Sequence, residues 1–524
     1  MADLALILPN AAAPKGGPAV FGNKAWNLML MAQAGLPVPP AFVLPVSSRR
    51  CRRVLLQQTL TEGIAALETA TGLRFGASRR PLLVSVRSGA AVSMPGMMET
   101  VLDVGLNVET VEGLIRLTGN PRLAWDSFRR LVQGYAEVAA NLPTAPFDAL
   151  VAAALLQAEA DNEQELDHRD LRTLTEAMLE CYRTLAGDSF PADPHEQLAA
   201  ATEAVFRSWD APKAESYRRM NNIGGDTGTA VTVQTMVFGN AGGYSGAGVG
   251  FTRNPATGAR EFYFDFRFNG QGEDVVAGRQ KLRDNDRLRV GLPIVWARLN
   301  DVCHALEVLF GDAQDFEFTV QSGTLFLLQA RRAKRTDWAA LAIAVDMVNE
   351  GLLTPEQGLA RLSGIDLNTV VRTSFAPPVP PTLAVAQVAS MGVASGAIAL
   401  DPAAVQRLAA AGTPAILVRR DTVTSDIDGI ALATGILTGS GGRTSHAAVV
   451  ARQLGKVCLV ACPDLEIDTE HRQCRIGGTL LKEDGFLSLD GNTGAVHAGR
   501  LEPVTERPVE ALAAIAGWRQ AAAA

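Results

Sequence analysis

Four prolines in five residues, Pro377-Pro378-Val379-Pro380-Pro381, do most to limit what this chain can become. Each ring fixes φ and removes a hydrogen-bond donor, so the run belongs neither inside a helix nor in the middle of a sheet. It predicts an extended, semi-rigid spacer closing a helical segment over residues 337–382, with a domain boundary there. The chain has 524 residues, enough for roughly three or four folding units at about 150 residues each.

Composition supports packed domains and excludes several partners. With 47% hydrophobic and 20% charged residues, the chain can bury real cores. The net charge of −7 comes from interspersed signs, so no face is built to track a nucleic-acid backbone. No run of about 18 apolar residues occurs, and Met1–Pro14 lacks the basic start and apolar centre of a secretory leader, so no membrane partner is expected. Six cysteines are too sparse for a disulfide scaffold; free thiols and a cytoplasmic location are expected.

Along the chain, residues 1–110 mix strand-like and turn-rich stretches, including the apolar run Pro81–Val86 ending in Arg87. Residues 111–219 change to long helical periodicity and read as a helical insertion or cap. Residues 220–336 return to strand-like alternation, interrupted by the glycine cluster Gly239–Gly250. A last compact unit spans residues 383–500, and the tail 501–524 ends in Ala521–Ala524, which is expected to fray.

Two constellations carry chemistry. In Gly439-Ser-Gly-Gly-Arg-Thr-Ser-His446, the glycines precede an apolar stripe at Ala447, Val450, Ala451 and Leu454, with Gly455 as the stop. His446 therefore falls in the first turn of a predicted helix, where Thr444 or Ser445 can cap and a negative group is favoured. A neutral imidazole there can accept a phosphoryl group without a separate base. On residues alone, His446 also fits the plainer description of a polar residue at a helix start.

The second constellation is Asp315-Phe-Glu317-Phe-Thr-Val-Gln-Ser-Gly-Thr-Leu-Phe-Leu-Leu-Gln329-Ala-Arg331. Period-two alternation places Asp315, Glu317 and Thr319 on one face and Phe316, Phe318 and Val320 on the other, with Ser322-Gly323 as the turn. Two carboxylates and an amide oxygen on a hairpin suit Mg²⁺ beside nucleotide phosphates, although a solvated polar face fits the same pattern.

Gly-Gly-Arg-Thr-Ser-His-Ala-Ala-Val-Val-Ala-Arg resembles the phosphohistidine signature of the phosphoenolpyruvate (PEP)-utilising enzymes, in the form found in the pyruvate, phosphate dikinase branch. Further stretches are similar in the same order: Phe21-Gly-Asn-Lys24-Ala-Trp-Asn-Leu28, Pro81-Leu-Leu-Val-Ser-Val-Arg87 with its loop to Met98, Phe251-Thr-Arg-Asn-Pro255, and Gln271–Gly278. The resemblance implies an α/β (α+β multidomain) fold. An ATP-grasp nucleotide-binding domain with a helical insertion would be joined by the Pro-rich linker to a swivelling β/β/α phosphohistidine domain.

It also implies roles: Lys24, Arg87, Asp315, Glu317, Gln329 and Arg331 at the nucleotide, Mg²⁺ on Glu317 and Gln329, and His446 as the catalytic acceptor. ATP and phosphate would give AMP, pyrophosphate and phosphohistidine, with pyruvate and PEP as partners beyond. Thr444 is implied as a regulatory phosphorylation site, although helix capping suffices to explain it.

Departures from the family pattern are Asn23 and Ala25 beside Lys24, Asp265 for Glu, Arg332-Ala333 for Asn-Gly, and Arg443 for Met. The family's pyruvate-binding barrel needs about 250 residues. Only Arg500–Ala524 follow the phosphohistidine unit, so a separate barrel protein is expected as partner. Alternatives are a dikinase with water or a small molecule as acceptor, and a regulatory ATP-binding relative; Lys334-Arg335-Thr336 resembles the pyruvate branch. His168-Arg-Asp170 lacks the other protein-kinase elements, Cys458, Cys462, His471 and Cys474 fit no common zinc spacing, and there is no P-loop.

Overall fold

The computed structural model describes residues 4–523 apart from 13, 93, 95–97, 221–222, 225–227, 273–283, 423–425, 442–447, 449, 452–453 and 464. The chain divides into two compact units, Met1–Gly246 with Phe316–Arg331, and Ala247–Asp315 with Arg332–Ala524.

In chain order the first stretch carries β1 (Ala5–Ile7), α1 (Pro18–Gln33), β2 (Ala41–Leu44) and α2 (Arg53–Thr71). The short strands β3 (Arg74–Phe75) and β4 (Pro81–Leu82) precede β5 (Val84–Gly89) and β6 (Thr100–Val104). Next come α3 (Val108–Thr118), α4 (Pro121–Val138), α5 (Ala145–Gln157), α6 (His168–Ala186), α7 (Pro194–Arg207), α8 (Pro212–Met220) and β7 (Ala230–Thr235). An antiparallel sheet runs β1-β2-β7-β5-β6. Phe42, Val84 and Val233 of this sheet join Leu60 of α2, Phe128 and Leu131 of α4, Leu174 of α6 and Val205 of α7 in one core.

Local chemistry sets the helix limits. Asn107 and Asp167 make capping boxes at the starts of α3 and α6, and Gly119 and Gly187 end those helices in the left-handed region. Asp170 of the His168-Arg-Asp170 run is thereby occupied as the second half of a cap.

The chain continues through β8 (Gly246–Phe251), β9 (Tyr263–Phe268), α9 (Asp284–Gly291) and α10 (Pro293–Phe310) to the hairpin strands β10 (Gln314–Gln321) and β11 (Thr324–Arg332). Then follow α11 (Asp337–Asn349), α12 (Pro355–Arg361), β12 (Arg372–Phe375), β13 (Thr382–Val385), β14 (Gln387–Ser390) and β15 (Val393–Ala399). The last part holds α13 (Pro402–Ala410), β16 (Ala415–Arg419), α14 (Ile427–Leu432), β17 (Gly435–Thr438), β18 (Val457–Val460) and β19 (Glu466–Asp468). It ends with β20 (Gln473–Ile476), β21 (Thr479–Lys482), β22 (Phe486–Asp490), β23 (Ala495–Ala498), β24 (Pro503–Glu506) and α15 (Val509–Ala523).

An eight-stranded sheet, β13-β23-β22-β15-β16-β17-β18-β14, is parallel through β15, β16, β17 and β18. Alternate residues feed different cores. Leu417 and Ile436 face Val405, Leu408 and Ile430 of the helices, while Ile416, Val418 and Leu437 pack with Cys474 and Ile476 of the three-stranded sheet β19-β20-β21. Burial on both faces explains why these strands read as nearly continuous apolar runs.

In the second unit Arg253, wholly buried, donates to Glu307 at 2.9 and 2.9 Å and to Glu350 at 3.2 and 2.8 Å. The Phe251–Pro255 motif thus has a structural role, tying the end of β8 to α10 and α11. Buried Asp312 receives Arg335 at 2.5 Å and Arg332 at 2.7 Å, so the Arg332 departure brings a second cation to a carboxylate that Arg335 already holds. Ala333 is buried beside Ile343 and Met347.

The Pro-rich run lies within the second unit and is flanked by pairing: β12 is antiparallel to β24, and the Ala376 N–H donates to the Glu502 carbonyl at 3.0 Å. Within residues 501–524, Pro503–Glu506 form β24 and Val509–Ala523 form α15. Ile515 is buried against Ala340, Leu341 and Ala344, and an added Cβ at Gly358 would stand 3.0 Å from the Trp518 ring.

Candidate active site

The first unit concentrates charge around Lys24. Gly22 has φ +74° and interrupts α1, so the helix restarts at Asn23 and Lys24 stands in its opening turn. Only glycine serves there, because a Cβ would lie 2.0 Å from the Gly89 carbonyl oxygen at the end of β5. The Asn23 N–H donates to Ala90 O at 2.9 Å. This close approach sets Lys24 beside Arg87 of β5.

Arg87, Arg331 and Glu317 all act on Lys24. Burial, then the Arg87 guanidinium, push its ammonium down to about 8; Glu317 opposes this and Arg331 adds to it. The Arg87 guanidinium is 3.5 Å from the Glu317 carboxylate. Its Nε is buried and has no hydrogen-bond partner among the described residues. Lys24, at a helix start, thus feels two guanidinium groups and one carboxylate, with one guanidinium N–H unmatched among the described residues.

The hairpin supplying Glu317 and Arg331 turns at Ser322 (φ 49°) and Gly323 (φ 78°). The glycine cluster Gly239–Gly250 holds this turn: the Gly323 N–H donates to Tyr244 O at 2.8 Å and the Ser322 N–H to Ser245 Oγ at 2.9 Å. Asp315, Thr319 and Gln329 are all buried, so the hairpin's polar face is not a solvated one. His446, Thr444 and Arg443 lie outside the described residues, as does most of Gln271–Gly278; Ala448 and Ala451 beyond them are helical and buried.

Asn27 escapes a reading of the sequence as a contributor. Its Nδ2 donates to the buried carbonyl of Ala330, between Gln329 and Arg331, at 2.8 Å. A signal is present: an amide among the apolar residues Leu28, Met29, Met31 and Ala32. The Lys334-Arg335-Thr336 motif has local employment, since Thr336 caps α11.

Such a concentration of positive charge, at a helix start and with an unmatched donor, describes a site for a multiply charged anion. Residues 55–297 match the pyruvate phosphate dikinase AMP/ATP-binding domain, and residues 412–494 match the mobile domain of PEP-utilising enzymes. The chain is 41% identical over 496 residues to the pyruvate, phosphate dikinase of Clostridium symbiosum, covering 92% of this chain and 56% of that one. It is 40% identical to the chloroplastic pyruvate, phosphate dikinase 1 of Arabidopsis thaliana, covering 93% and 51%, and 39% identical to the Giardia intestinalis enzyme, covering 95% and 58%. The chain belongs to the pyruvate, phosphate dikinase family. It spans about half the length of the curated relatives it matches.

Proposed function

We propose that this chain performs the nucleotide half of the pyruvate, phosphate dikinase reaction and relays the phosphoryl group on His446. ATP and phosphate yield AMP, pyrophosphate and phosphohistidine, whose phosphoryl group then passes to pyruvate to give PEP. The observation that carries this reading is the charge cluster of Lys24, Arg87 and Arg331 with its unmatched Arg87 Nε. A point charge and two planar guanidinium groups spread compensation over several phosphates, which is most of what phosphoryl transfer asks of a protein.

The donor set fits Mg²⁺: carboxylates at Asp315 and Glu317 and an amide at Gln329, all on two adjacent strands. Glu317 and Gln329 would hold the ion, with Asp315 assisting; when bound it neutralises phosphate charge. Lys24 and Arg331 would orient the polyphosphate, and Arg87 would supply the N–H that otherwise stays unmatched. The nucleotide portion is read as an ATP-grasp domain, with residues 111–219 as its helical insertion and 383–500 as the phosphohistidine domain. His446 must reach ATP and then a second acceptor, and the paired strands β12 and β24, where the chain enters and leaves its domain, are the place for a swivel.

Incubation with Mg²⁺, phosphate and ATP labelled at the β position tests the reading. Acid-labile label with AMP release is expected, absent from His446→Ala. Equal labelling of that variant would overturn the assignment. Discharge on adding pyruvate identifies the acceptor, and discharge into water alone points to another. Co-purification shows whether the barrel for pyruvate comes from a second polypeptide.

A further inference from the structure

We propose that Asn27 is a positioning residue of the phosphate site, tying α1 to β11 so that Lys24 and Arg331 meet the same polyphosphate. This rests on the reading of the site given above. β11 is an edge strand, paired with β10 on one side, and its outer backbone groups need partners. Two come from α1 and the segment after it: the Leu327 N–H donates to Pro37 O at 2.8 Å, and Asn27 Nδ2 donates to Ala330 O at 2.8 Å. The first is made by backbone and survives side-chain changes. The second depends on one amide.

That amide is well placed to transmit position. Lys24 and Asn27 are three residues apart on a helix, hence neighbours on one face. Ala330 lies between Gln329 and Arg331, which share a face of β11 by the period of two. One buried hydrogen bond therefore sets the cation on α1 against the cation and the amide on β11. Its partners are 303 residues apart in sequence, and Asn27 is itself 8% exposed. An apolar residue of equal size would fill the space but leave the Ala330 carbonyl unmatched and the helix free to shift.

Calorimetric titration of the full chain with ATP, and with AMP as the control of low charge, tests this on Asn27→Leu, Lys24→Met and the double variant. Asn27→Leu is expected to weaken ATP about tenfold and AMP about twofold or less, since the loss falls on the polyphosphate. Because Asn27 acts through Lys24 and Arg331, the double variant should fall short of the product of the single effects by about threefold or more. A residue that merely holds the fold together would weaken both ligands alike, and its effect would multiply fully with that of Lys24→Met; either result overturns the proposal. Asn27→Ala is read by the same criteria if Asn27→Leu does not fold. Unchanged ATP affinity in Lys24→Met would sink the phosphate site itself. A loss there with none in Asn27→Leu would sink only the positioning role.

Discussion

Binding a polyphosphate should make this protein take up a proton, with Lys24 as the acceptor. In the free protein burial and the neighbouring Arg87 and Arg331 hold its ammonium at about 8, against an ordinary 10.5. Phosphate oxygens between these cations replace the repulsion with attraction and carry the value back up towards the ordinary one against the burial. The free ammonium fraction is about 0.9 at pH 7, 0.5 at pH 8 and 0.1 at pH 9, so uptake on binding should be about 0.1, 0.5 and 0.9 proton. The same linkage weakens affinity about fivefold between pH 8 and pH 9. The sign for stability is opposite to that of a salt-bridged lysine: the free protein bears a cost below pH 8 that is relieved as pH rises towards 10.5. Titrating ATP in EDTA, in buffers of different ionisation enthalpy, measures the uptake directly. Uptake near zero at pH 9, or undiminished uptake in Lys24→Met, would refute the reasoning.

Three other substitutions test the framework. Gly22→Ala forces a Cβ to within 2.0 Å of a carbonyl at positive φ, and should cost about 2 kcal/mol or more, read as a lowered melting temperature and lost ATP binding. Arg253→Met leaves Glu307 and Glu350 buried without their shared cation and should destabilise by about 3–5 kcal/mol in urea unfolding; a loss under about 1 kcal/mol would show that the network carries little. Ile515→Ala opens the contact between α15 and α11 at a cost of about 2–5 kcal/mol, and limited proteolysis should then release the C-terminal helix first. Unaltered protease resistance would mean that α15 is held elsewhere.

What can be read in advance divides by the range of the interaction. The Ser322-Gly323 turn and the buried set Phe316, Phe318 and Val320 follow from neighbours in sequence, and both are legible there. Whether Asp315 and Thr319 face water is not, since a polar residue alternating with apolar ones looks the same on a wet face and in a closed site; only the packing decides. The proline run declares its local sterics, but β24, which ties down its leading edge, lies over a hundred residues on. Arg253 looks like one cation in a motif because its carboxylates are 54 and 97 residues away. The candidate site is the extreme of this pattern. Lys24, Arg87 and the hairpin that carries Glu317 and Arg331 come from distant stretches of the chain, and no spacing between those stretches carries information; resemblance groups them where periodicity cannot. What resemblance does not supply is the reason they converge. That reason lies in two contacts made to backbone far away in sequence, the bare Cα of Gly22 against Gly89 and the Asn27 amide on the Ala330 carbonyl. A chain that kept every charged residue and lost those two contacts would retain the motif and lose the site.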